Sequence, residues 1–149
     1  MKFLTLTLFA TLFSSAFTED LFQFKGKHWI ASYAGCDESA LTNVEKLQEV
    51  MQEAVLSSGA TVLDKSAYVF EGNGLTMVFL LSESHASIHT YPEHRACFID
   101  LFTCGDHCDY KAFADALERY LQPSSISQKV LVRQEDFEEV ATSLEAAGY

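Results

Sequence analysis

Between residues 61 and 103 the chain sets four strand-like apolar runs end to end with only turns between them. The runs are 61–71, 75–81, 86–91 and 96–103, and the third of them alternates polar and apolar residues. Gly72-Asn73-Gly74 has the composition of a tight hairpin, and Pro92-Glu93-His94-Arg95 separates the last two runs. Consecutive strands joined this closely pair antiparallel, because a parallel crossover needs a dozen or more residues. The 75–81 run, LTMVFLL, is nearly continuous in apolar residues and is expected to be central. Helical spacing appears on either side of this block. Residues 40–57 place Leu41, Val44, Leu47, Val50, Met51, Ala54 and Val55 on one face, with Thr42 and Glu45 as a capping box and Ser57-Ser58-Gly59 as the stop. Residues 110–121 align Phe113, Ala116, Leu117 and Tyr120. Further strands are expected at 27–33 and 127–133, and a third, more exposed helix at 136–147. The pattern predicts an α+β two-layer sandwich, an antiparallel sheet with helices on one face.

A length of 149 residues suits one domain, and with 48% hydrophobic residues the chain can bury a core without staples. Residues 24–149 are read as that single domain. Residues 1–18 have a short positive start at Lys2, an apolar run and a small-residue stretch at Ser14-Ser15-Ala16. That is the layout of a secretory signal, the alternatives being an apolar docking segment or an upstream start codon. The run is too short to span a bilayer. Ten basic residues against 21 acidic ones give a net charge of −11, with no basic cluster. Nucleic acid and anionic membrane surfaces are therefore excluded as partners, and a cationic small molecule suits the field better. Cys36, Cys97, Cys104 and Cys108 make an even count that allows two disulfides in an exported protein, although their spacing is not that of a compact framework. Cys104-x-x-x-Cys108 with His107 and His94 lacks the paired spacing of a zinc site, and no metal is expected.

Residues 80–105, LLSESHASIHTYPEHRACFIDLFTCG, hold most of the groups that can do chemistry: Glu83, Ser84, His85, Ser87, His89, Glu93, Asp100 and Cys104. Period-2 alternation sets Ser87, His89 and Tyr91 on one strand face, with Ser84 at the bend before it. Taken singly, each has a structural reading: a turn serine, a half-buried histidine, a small core cysteine. The Ser-x4-His spacing also fits neither a G-x-S-x-G elbow nor a Ser/His/Asp hydrolase order.

Read together, Ser82-Glu83-Ser84-His85-Ala86-Ser87-Ile88-His89-Thr90-Tyr91-Pro92-Glu93 followed by Ile99-Asp100-Leu101-Phe102-Thr103-Cys104-Gly105 closely resembles the prokaryotic S-adenosylmethionine decarboxylase proenzyme family. The resemblance runs from Gly26-Lys27-His28, through Gly59-Ala60-Thr61 and the 110–121 helix, to Val132. Tyr91 stands where the family commonly has Trp, and the spacer His94-Arg95-Ala96-Cys97-Phe98 differs from its usual Tyr-Gly-Tyr type run.

The resemblance implies a chain that makes its own electron sink, since decarboxylating an amino acid needs one and no side chain supplies it. Ser84 would attack the Glu83 carbonyl, His89 would take the Ser84 α-proton as proton acceptor in processing, and cleavage between Glu83 and Ser84 would leave a pyruvoyl group. That group would bind substrate as a Schiff base, and Cys104 would be the proton donor in turnover. By the same resemblance Glu93 binds ribose hydroxyls, Phe70 stacks on adenine and Thr76 assists processing, whereas core packing is the plain alternative for Phe70. The implied reaction converts S-adenosylmethionine to the aminopropyl donor for spermidine synthesis. Two alternatives stand beside it: an ornithine or arginine decarboxylase on the same scaffold, and an unprocessed binding or regulatory homologue. A homodimer with the site near the subunit boundary is implied as well, Phe70 and Glu93 reaching across it. The cytoplasm is favoured over export, because the substrate is made there and a catalytic thiol stays reduced there.

Overall fold

Alternate residues of four strands bury one face of a single sheet, and that face meets the helices. In the computed structural model, which describes residues 25–104 and 107–134, the order is β1 (Lys25–Ala34), α1 (Glu38–Thr42), α2 (Val44–Ser57), β2 (Val62–Val69), β3 (Leu75–Leu81), β4 (Ser84–Tyr91), a 3-10 turn (Pro92–His94), β5 (Ala96–Thr103), α3 (Tyr110–Leu121) and β6 (Ser125–Gln134). The sheet runs β2-β3-β4-β5-β1-β6, with every neighbouring pair antiparallel. This is the expected α+β sandwich.

Trp29 and Tyr33 of β1, Met77 and Phe79 of β3, Ile88 of β4 and Leu101 of β5 lie on the covered face. They pack with Leu47, Met51 and Val55 of α2 and with Phe113, Leu117 and Leu121 of α3. The ring of Trp29 meets Phe113 edge-on at 5.6 Å. Among the described residues the opposite face carries no helix, and it exposes Ile30, Val78, Leu80, Phe98 and Leu131 among polar side chains. An antiparallel sheet tolerates one solvated face, but apolar residues there call for a cover.

Four expectations need correction. The helix expected over 40–57 is two helices, because Asn43 leaves helical geometry (φ −81°, ψ 77°) and its side chain accepts from the Lys46 N–H at 3.2 Å. Asn43 is therefore the cap, and Thr42 instead donates back to the Glu38 carbonyl at 2.9 Å, so no Thr42–Glu45 box forms. The central pair is β4 and β5, with β3 one place out; β3 reads as apolar throughout, yet its even positions Val78 and Leu80 are exposed. Ser84 is the first residue of β4 rather than a residue of the bend before it. All four cysteines are free, Cys36, Cys97 and Cys108 buried and Cys104 exposed. The expected hairpin is present: Gly72 and Asn73 adopt positive φ (84° and 64°), and the Phe70 N–H donates to the Gly74 carbonyl at 2.8 Å. The signal-like segment at 1–18 and the helix expected at 136–147 lie outside the described residues.

Candidate active site

The bond between Glu83 and Ser84 sits where β3 turns into β4, and it is held from several sides. The Ser82 N–H donates to the Thr61 carbonyl at 2.9 Å. The Cys104 N–H, leaving β5, donates to the Glu83 carbonyl oxygen at 2.9 Å. The Glu83 carboxylate accepts from the Thr61 N–H at 2.9 Å and meets the His107 Nε2 at 3.4 Å. Burial opposes its ionisation, but the Thr61 N–H and the His107 contact outweigh burial and hold the carboxyl below its ordinary range. On the other side of the bond Ser84 has φ 153°, a region that side chains other than glycine rarely occupy. Such a conformation costs on the order of 1–3 kcal/mol and persists only where its surroundings impose it. The Ser84 hydroxyl lies 3.4 Å from His85 Nδ1.

Cys104 is the one exposed thiol among the four. Burial pushes the Cys108 thiol up, with Glu83 adding to the effect. His94 lies in the 3-10 turn beyond the far end of β4, so the four residues of the zinc-like spacing converge on no common point.

The remaining expected residues gather at the other end of the sheet. His89 lies opposite Thr76 in the β3–β4 register, and its Nδ1 is 2.9 Å from the Thr76 hydroxyl. Phe70 is half exposed rather than part of the core, and it meets Tyr68 edge-on at 4.8 Å. The Phe70 Cβ adjoins Gly74, which adjoins the Thr90 carbonyl beside His89. Glu93 projects from the 3-10 turn with its side chain 65% exposed, 4.0 Å from His94 Nε2. The expected residues thus form two groups on one protomer: Glu83, Ser84 and Cys104 at one end of β4, and Phe70, Thr76, His89 and Glu93 at the other. Five residues of extended strand separate Ser84 from His89, about 16 Å at about 3.3 Å per residue. Within one protomer His89 is therefore out of reach of Ser84.

Between the groups, on the uncovered face, lies a polar cluster of His85, Ser87 and Asp100, which the sequence offers as chemical groups without a role, joined by His28. Asp100 accepts from the Ser87 hydroxyl, pairs with His28 Nε2 at 3.0 Å and faces His85 Nε2 at 3.6 Å. The ring of Phe102 leans on both histidines, at 5.3 Å from His28 and 5.7 Å from His85. Alternation along 96–103 puts Asp100 on the same side as Ser87 and was the available signal; the link to His28, 72 residues earlier, had none.

A family model described as S-adenosylmethionine decarboxylase matches residues 27–134. The S-adenosylmethionine decarboxylase proenzyme of Thermosipho africanus is 43% identical over 108 residues, 72% of this chain and 79% of that protein. The proenzyme of Pyrobaculum aerophilum is 39% identical over 102 residues, 68% and 82% of the two chains. The crystal structure of the adenosylmethionine decarboxylase from Aquifex aeolicus is similar at a TM-score of 0.68 with 34% identity, covering 73% of this chain and 90% of that one.

Proposed function

The chain belongs to the S-adenosylmethionine decarboxylase family, and from that premise we propose that it decarboxylates S-adenosyl-L-methionine using a pyruvoyl group made from its own Ser84. The observation that carries this reading is the Glu83–Ser84 bond, which has a strained serine on one side and a backbone donor on the carbonyl oxygen of the other. Ser84 Oγ attacks the Glu83 carbonyl carbon, and the Cys104 N–H, 2.9 Å from the carbonyl oxygen, takes up the charge that develops there. The amide becomes an ester and the positive φ is relieved. Loss of the Ser84 α-proton breaks the Cβ–Oγ bond and expels the main-chain α-carboxylate of Glu83. Hydrolysis of the resulting dehydroalanine releases ammonia and leaves the keto group. These surroundings fit a self-made group; once formed, it supplies the electron sink that decarboxylation needs.

His89 is the base for the α-proton, and at about 16 Å within one protomer it acts from a second copy. The uncovered sheet face supports this, since its exposed apolar residues suit burial against an identical face. A two-fold interface brings the Ser84 end of one protomer to the His89 end of the other and completes two sites at once. Phe70, an exposed aromatic, takes the adenine ring, and Glu93 accepts from the ribose hydroxyls. Cys104 protonates the α-carbon after carbon dioxide leaves; its exposure suits that task. The acidic chain favours a sulfonium substrate. The product is the aminopropyl donor for spermidine synthesis. Residues 24–149 act as one domain, working in the cytoplasm, where the substrate is made and thiols stay reduced; among the described residues no helix is long and apolar enough to cross a membrane.

An intact-mass spectrum of purified, active protein tests the reading. Cleavage between residues 83 and 84 gives chains of about 9 and about 7 kDa at roughly 110 Da per residue, before any trimming of the first. The smaller chain carries an N-terminal carbonyl in place of an amine. A single uncleaved chain in an active preparation refutes it. Carbon dioxide released from ornithine or arginine but not from S-adenosylmethionine refutes the substrate.

A further inference from the structure

The self-cleavage needs a base before it needs His89, because a serine hydroxyl is a weak nucleophile until its proton is taken. We infer that His85 is that base: its Nδ1 removes the Ser84 Oγ proton, and Asp100 orients the ring from the opposite side. This rests on the self-cleavage proposed above and adds a catalytic residue to it.

Four contacts of His85 carry the inference. Ser84 Oγ lies 3.4 Å from His85 Nδ1. The other ring nitrogen, Nε2, faces Asp100 Oδ2 at 3.6 Å. Phe102 walls the ring at 5.7 Å, and His28 meets it edge-on at 6.0 Å, so its orientation is confined. In the neutral form, a proton on Nε2 points toward the carboxylate and the lone pair of Nδ1 toward the hydroxyl. This is the tautomer a general base requires. Asp100 is itself fixed by Ser87 and by His28 at 3.0 Å, so it is a positioning residue with a stable place.

The other nearby groups are unsuited. The carboxylate of Glu83 is already engaged by the Thr61 N–H and His107. His89 of the same protomer lies at the far end of the strand, held by Thr76, and His89 of the second copy serves the α-proton. His28 faces Asp100.

The step balances within the chain. The Oγ proton passes to His85 Nδ1 as the Oγ–C bond forms to the Glu83 carbonyl carbon. The imidazolium then faces Asp100 while the oxyanion faces the Cys104 N–H. On collapse the Glu83–Ser84 C–N bond breaks, and the same proton passes from Nδ1 to the Ser84 nitrogen as it leaves. An ester and a free amine result, and His85 returns to neutral.

The test separates this step from the elimination. A His89→Ala chain should stop at the ester, which hydroxylamine splits into two pieces on a denaturing gel. Adding His85→Ala, or His85→Gln to keep the volume and polarity, should slow the appearance of the hydroxylamine-sensitive species by roughly 10²–10⁴-fold, the range for a positioned general base. A cooperative thermal transition reports that each variant is folded, and free imidazole should restore part of the rate to the His85→Ala chain. Ester formation at the His89→Ala rate in folded His85 variants overturns the role, as does a loss that imidazole leaves unchanged. A His89→Ala chain that never becomes hydroxylamine-sensitive, alongside a wild-type chain that stays whole, overturns the self-cleavage and this role with it.

Discussion

Two defective chains should repair each other if the site is shared between protomers. Ser84→Ala removes the nucleophile and keeps His89; His89→Ala removes the base and keeps Ser84. Alone, neither chain should be processed to two pieces. About 16 Å of strand separates the two residues, whereas proton transfer needs heavy atoms within about 3 Å, so a chain cannot serve itself. In a mixed dimer one site carries both defects and the other carries none. The intact site joins Ser84 of the His89→Ala chain to His89 of the Ser84→Ala chain. At equal expression and random pairing about half of all His89→Ala chains sit in mixed dimers, and that half should be cleaved. Differently tagged chains, co-expressed and resolved on a denaturing gel, give the fraction directly, and carbon dioxide release from the mixture should appear where neither parent shows any. The reasoning fails if His89→Ala alone is processed normally, since the base is then elsewhere. It fails also if mixed dimers form, by recovery of both tags on one resin, and no chain is cleaved.

Cys104→Ala retains its backbone N–H on the Glu83 carbonyl, so it should still be cleaved while losing most turnover and accumulating inactive enzyme; full turnover of the variant removes Cys104 as proton donor. Glu93→Gln should weaken S-adenosylmethionine binding by about 1–3 kcal/mol, read by calorimetry on the processed enzyme, with ester formation unaffected. Glu83 has a folded pKa below its ordinary 4.5, so its stabilising contribution is full above that value and fades as pH falls through the lower folded value. Acid unfolding curves of an unprocessed Ser84→Ala chain should therefore steepen below about pH 4.5 and flatten when Glu83→Gln is added; superimposable curves refute the assignment. Trp29→Ala, at a residue 1% exposed that packs on Phe113 and donates to Gln128 at 2.8 Å, should cost about 3–5 kcal/mol in a urea titration. A loss under about 1 kcal/mol would place Trp29 outside the core.

Local patterns carried much of this molecule into view. Helix α3 spans Tyr110–Leu121 as its apolar spacing predicts, because one face of a 3.6-residue period is a property of neighbouring residues alone. The Gly72-Asn73-Gly74 hairpin is legible for a similar reason: positive φ at successive residues selects glycine and asparagine. Where two local rules competed, the pattern misled. Thr42 and Glu45 satisfy a capping box, but Asn43 is the better competitor for the backbone and breaks the helix there.

What the sequence by itself determined is the inventory and the faces: an antiparallel sheet with helices on one side, and a motif bringing Glu83, Ser84, His89, Glu93 and Cys104 into one chain. Alternation assigns a side chain to a face of a strand, since successive Cβ atoms point in opposite directions whatever lies beyond. It says nothing about which strand lies alongside. Only the tertiary structure ordered the strands so that β5 returns Cys104 to the Glu83 carbonyl, drew His28 and His85 to Asp100, and set His89 a strand's length from Ser84. Those relations join residues far apart in sequence, or separate residues close in it. They are fixed by burial of Trp29, Phe79, Leu101 and their neighbours under α2 and α3, a sum over many contacts that no short window of sequence contains.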